Sequence, residues 1–61
     1  MTVSFYDKNR STELTSRARI EEKTIIIEIE DDLIYQWITI DRSTAIRFAK
    51  ELRRQISLIE E

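Results

Sequence analysis

The sequence predicts an α+β domain: an antiparallel meander of four strands, three at the least, followed by one C-terminal amphipathic helix packed on a single face. Three observations lead there. Up to Ile40 apolar and polar residues alternate with a period of two, in segments rich in β-branched and aromatic side chains. From Ala45 onward the apolar residues recur with helical spacing. The chain has 61 residues with no linker, repeat or low-complexity tract, so one small domain spans residues 1–61.

The elements follow in order. Thr2-Val3-Ser4-Phe5-Tyr6 reads as an edge strand, and a turn at Lys8-Asn9 aims Val3 and Phe5 at the helix side and Tyr6 at the open face. Asn9 is the residue there best able to take a left-handed conformation. The second strand, Thr12 to Ile20, turns at Glu21-Glu22 into a third, Thr24 to Glu30, setting Leu14 opposite Ile29, Ser16 opposite Ile27 and Ala18 opposite Ile25. Asp31-Asp32, taken as a two-residue turn, leads into a fourth strand from Leu33 to Ile40. That turn sets Ile29 opposite Ile34, Ile27 opposite Gln36, Ile25 opposite Ile38, Glu28 opposite Tyr35 and Ile26 opposite Trp37. Ser43 or Asp41 then caps a helix of about four to five turns, whose apolar stripe is Ala45, Phe48, Ala49, Leu52, Ile56 and Ile59. Arg47, Lys50, Glu51 and Arg54 fall on the opposite side.

Composition excludes several chemistries. The chain has no His, Cys, Gly or Pro. Disulfides, thiol or Ser-His nucleophiles, ordinary zinc sites and glycine-rich phosphate loops are therefore not expected, and no cofactor is implied. The acidic turn Glu28-Ile29-Glu30-Asp31-Asp32 lacks the glycine and ligand spacing of a calcium loop, so no metal site is expected. General acid-base catalysis needs a concave, partly dry site that so short a chain has little material to build, which speaks against an enzyme. No membrane span or signal peptide is expected, because the longest apolar run is Ile25 to Ile27. The default location is cytoplasmic. A chain of about 60 residues buries only about 60% of its unfolded surface, which makes a homodimer the expected state.

Charge is uneven: +2 over residues 1–20, −6 over 21–41 and +2 over 42–61, for a net −2. The open face of the sheet interleaves Tyr35 and Trp37 with Arg17 and Arg19, the arrangement in which open sheets stack the bases and hold the phosphates of single-stranded nucleic acid. The same face carries Glu13, Glu28 and Glu30. A solvated sheet on which Arg17 and Arg19 pair with Glu28 and its neighbours is the plainer reading, and a protein-binding surface is the third. Phe48, Leu52, Ile56 and Ile59 are the expected dimer contacts, against sheet and partner.

The strand meander ending in Trp37-Ile38-Thr39-Ile40-Asp41-Arg42-Ser43, with an amphipathic helix from Thr44 to Ile59, resembles the positive-cofactor-four family of transcriptional coactivators. The sequence likeness lies between Ile38 and Ile56. The resemblance implies four strands and a C-terminal helix, dimerisation through the helices, and single-stranded DNA on the sheet. Some small phage-encoded inhibitors, including certain anti-CRISPR proteins, are similar in fold and comparably short and acidic. That second resemblance implies an inhibitor or accessory that presents its sheet edge or acidic turn to a host protein.

Overall fold

The computed structural model describes residues 1–59. It holds a four-stranded antiparallel sheet in the order β1 (Thr2–Asp7), β2 (Arg10–Arg19), β3 (Thr24–Glu30), β4 (Tyr35–Asp41), followed by α1 (Arg42–Ser57). The period-two and helical segments thus become the elements their spacing predicts.

Each turn has its own cause. Between β1 and β2 only Lys8 and Asn9 intervene, at φ 52° and 65°. Two consecutive left-handed residues twist a two-residue hairpin in the same sense as its strands. Residues 20–23 link β2 to β3, closed by the Lys23 N–H donating to the Ile20 carbonyl at 3.2 Å, with Lys23 at φ 56°. Leu14 faces Ile29, Ser16 faces Ile27 and Ala18 faces Ile25, the register that a turn centred on Glu21-Glu22 demands.

The third turn corrects the expectation. Ile29 faces Gln36, Ile27 faces Ile38, Ile25 faces Ile40, Glu28 faces Trp37 and Ile26 faces Thr39, a slip of two residues from a two-residue turn. The Asp31 carboxylate is the reason. Its Oδ1 accepts the backbone N–H groups of Leu33 and Ile34, both at 2.7 Å, and the Asp31 N–H donates to the Ile34 carbonyl at 2.9 Å. An aspartate that satisfies two donors of its own loop stabilises a four-residue turn, so Leu33 and Ile34 leave the strand. Because the slip is even, every side chain that remains in β4 keeps its face.

Asp41 ends β4 and caps α1 without an intervening residue, its Oδ1 accepting the Thr44 N–H at 2.8 Å. At the other end the chain tightens, Leu58 N–H donating to Gln55 and Ile59 N–H to Ile56, both at 3.1 Å. Ile59 therefore lies beyond the helix rather than on its stripe, a second correction, since the final i→i+3 bonds turn it out of the α-helical rows.

The helix lies over β3 and β4, on the face that carries Val3, Phe5, Thr12, Leu14, Ser16, Ala18, Ile25, Ile27, Ile29, Gln36, Ile38 and Ile40, with Asp7 and Arg10 at its end beside the first turn. We call this the inner face. An apolar groove of about 290 Å³ separates the helix residues Phe48, Ala49 and Leu52 from Val3, Leu14 and Ser16. A second, of about 210 Å³, lies along Ile27, Ile38, Ile40, Thr44 and Phe48. Among the described residues no apolar side chain is buried; the buried one is Thr12, 3% exposed, across from Phe5. The molecule is a slab of 37 × 31 × 15 Å.

Candidate binding face of the sheet

The face turned away from the helix carries Thr2, Ser4, Tyr6, Glu13, Thr15, Arg17, Arg19, Ile26, Glu28, Glu30, Tyr35, Trp37 and Thr39, by alternation along the paired strands. Arg17, Tyr35 and Trp37 converge here around Glu28. The Arg17 Nη2 donates to Glu28 Oε1 at 2.9 Å, and the Tyr35 hydroxyl donates to Glu28 Oε2 at 2.6 Å. One carboxylate on a central strand thus ties a residue of β2 to one of β4. That bond is the main reason the Tyr35 hydroxyl is pushed above its ordinary value of 10.0, since ionising it would place an anion against a carboxylate.

Trp37, directly across from Glu28, is 58% exposed, and Tyr35 is 53% exposed. They sit two residues apart on one strand, about 6.6 Å along it, and point the same way. Arg19 stands apart from this group. It pairs with Glu22 of the adjoining turn at 2.7 Å. Both guanidinium groups assigned to phosphate in the sequence reading are therefore already matched by carboxylates.

Glu13 pairs directly with Glu30 across β2 and β3 on this same face. Like charges placed opposite each other on a sheet repel. Ser11 and Asp31 join them around a shallow depression at the end of the sheet. The two hydrogen bonds from Leu33 and Ile34 hold the Asp31 carboxyl below its ordinary 3.8. Among the described residues no three His, Cys, Asp or Glu side chains converge as a metal site would require.

No family model matches the chain, and no curated protein or solved structure matches it.

The expected dimer contacts divide. Phe48 and Leu52 face the sheet across the larger groove and remain about half exposed, and Ile56 follows them on the last turn, also exposed. Ile59 is past the cap. On the far side of the helix Arg54 pairs with Glu51 at 3.0 Å and Arg47 donates to the Thr44 hydroxyl, which breaks up the basic stripe. Two features of the face escaped the sequence reading. The two-residue turn sets Tyr35 directly opposite Glu28, so the contact itself was expected, but its diagonal path follows from the four-residue turn. The Glu13 and Glu30 pairing was implicit in the β2–β3 register, where summing charges over facing positions would have found it. No helix of the described residues is long and apolar enough to cross a membrane.

Proposed function

We propose that this chain is a non-enzymatic binding module which works as a homodimer and presents the outer face of its sheet to a basic protein surface. The observation that carries this is the Glu13 and Glu30 pair, set opposite each other beside the exposed rings of Tyr35 and Trp37. Two facing carboxylates are relieved by a cation brought by a partner, and Trp and Tyr are the side chains that most often anchor protein interfaces. Phosphate, by contrast, meets three glutamates on this face and two arginines that each already hold a carboxylate. An acidic, aromatic sheet of this kind suits an accessory or inhibitor that competes for a basic site, with Glu28, Glu30, Asp31 and Asp32 as its charged rim.

A second reading, single-stranded nucleic acid on the same face, is favoured by the spacing of Tyr35 and Trp37, which suits two successive stacked bases. It requires Arg17 and Arg19 to leave Glu28 and Glu22 for phosphate.

Trp37 is the sole tryptophan, so its fluorescence reports on this face. The protein is titrated with an arginine-rich peptide and, separately, with single-stranded oligonucleotides, each at low and high salt. The expected result is a change with the peptide that high salt weakens, that Glu13→Gln with Glu30→Gln abolishes, and that oligonucleotides do not produce. Salt-sensitive quenching by oligonucleotide with no response to peptide would transfer the face to nucleic acid. Silence with both would reject it as a charged docking surface.

A further inference from the structure

We infer that the inner face of the sheet, together with the Phe48 and Leu52 ridge of α1, is the surface on which a second copy of this chain docks, and that folding and pairing are one event. This rests on the dimeric state proposed above and specifies its interface. Area makes the first case. The chain exposes 5790 Å² for a mass of 7.3 kDa, against about 4,200 Å² for a compact monomer of that size. The excess is about 1,600 Å² per chain, or about 3,200 Å² for a pair, within the range of obligate dimers. Its radius of gyration, 13.4 Å, likewise exceeds the about 10.5 Å of a compact chain of this length.

Chemistry selects the occupant. Apart from Asp7 and Arg10, which face each other beside the Lys8-Asn9 turn, the inner face of the strands carries no ionisable side chain, and none lines the groove between sheet and helix, so neither phosphate nor a charged peptide has a side-chain partner in that groove. Shape then favours a second copy over an unrelated apolar surface. A closed two-fold pair needs one patch that complements itself. This patch has both halves: a ridge, Phe48 and Leu52, each about half exposed, and a groove of about 290 Å³ beside it, floored by the small Ser16 and walled by Val3 and Leu14. Each copy's ridge enters the other's groove. Protein interiors do not leave apolar voids of that size unfilled.

The test uses the full chain. Its mass is measured by sedimentation, and its thermal midpoint is followed over a hundredfold range of concentration. The expected result is the mass of two chains and a midpoint that climbs by about 3–6 °C for each tenfold rise, as mass action requires when unfolding releases two molecules. A folded monomer with a concentration-independent midpoint would overturn both the inference and the dimeric reading. Leu14→Glu and Phe48→Glu, at positions largely open to solvent in a single chain, are expected to abolish the dimer and with it the folded signal. Trp37→Glu, on the outer face, is expected to leave the mass at two chains. A dimer that withstands both inner-face charges but is lost with Trp37→Glu would keep the dimer and refute this interface.

Discussion

The two faces of this sheet are made by alternate residues of the same strands, yet they have met their needs to different degrees. On the outer face, the facing Glu13 and Glu30 aside, polar side chains find partners within the chain: Arg17 and Tyr35 on Glu28, Arg19 on Glu22, the Thr2 hydroxyl with that of Thr15 at 3.2 Å. On the inner face Ile27 and Ile38 pair across β3 and β4, Leu14 and Ile29 across β2 and β3, and none of them is buried. A hydrogen bond needs two groups and can be completed locally. Burial of apolar surface needs enough matter on every side, and 61 residues drawn out as four strands and one helix do not supply it.

Neighbouring residues test that contrast most sharply. Ile27 and Ile26 are adjacent on β3 and point to opposite faces. Ile27→Ala, read by urea unfolding, is expected to cost about 2–5 kcal/mol per chain, the range for truncating a residue in a filled core. Ile26→Ala is expected to cost less than about 1 kcal/mol. Equal losses at the two positions would mean that both faces are covered.

The joint between sheet and helix comes next. Asp41→Ala removes the acceptor of the Thr44 N–H and is expected to cost about 1 kcal/mol, seen as a lower urea midpoint. Titration reports the same joint. The Thr44 hydroxyl, then its backbone N–H, hold the Asp41 carboxyl below its ordinary 3.8, as Leu33 and Ile34 do for Asp31. Folded carboxyls of lowered pKa contribute stability that is complete above the unfolded value and is lost as pH falls through the folded one. Urea midpoints are therefore expected to lose the contribution of these two caps below about pH 4, and Asp41→Ala to shrink that loss. Tyr35 acts in the opposite sense. Its raised pKa contributes stability that is complete below 10.0 and disappears as pH climbs through the folded value, a step that Tyr35→Phe removes.

A smaller gain is expected from a turn. Lys23 holds φ 56° without being glycine, so Lys23→Gly is expected to stabilise by about 0.5–1 kcal/mol in the same assay, by relieving left-handed strain. The smallest effect is at Glu28→Gln: the Glu28 side chain is only 17% exposed, but Arg17 is 62% exposed, so the ion pair is open to water on one side and contributes little, and the amide oxygen still accepts a hydrogen bond. Its unfolding midpoint is expected to stay within about 0.5 kcal/mol of the parent, and its sharper use is in binding: if oligonucleotides quench Trp37 only in this variant, Glu28 is what keeps Arg17 from phosphate.

Much of the fold was legible because side-chain alternation survives an even error. Reading Asp31-Asp32 as the whole turn misplaced every β3–β4 pair by two residues and still kept Ile38 and Ile40 beside the helix and Trp37 away from it. What alternation does not contain is where a loop closes, and that was decided by one carboxylate reaching Leu33 and Ile34. Pairing of Arg17 with Glu28 was foreseeable from the β2–β3 register. So was a tie from Tyr35 to Glu28, which the two-residue turn sets directly opposite each other; only its diagonal path comes from the longer loop. Ile59 shows the matching limit for helices, since its spacing fits the apolar stripe and the backbone has already left the helix.

Asp41 has a mechanical meaning as well. Because it is both the end of a strand and the cap of a helix, β4 and α1 meet at an elbow without slack. With no loop residue between them, the direction in which β4 ends is also the direction from which α1 departs, so the sheet itself aims the helix.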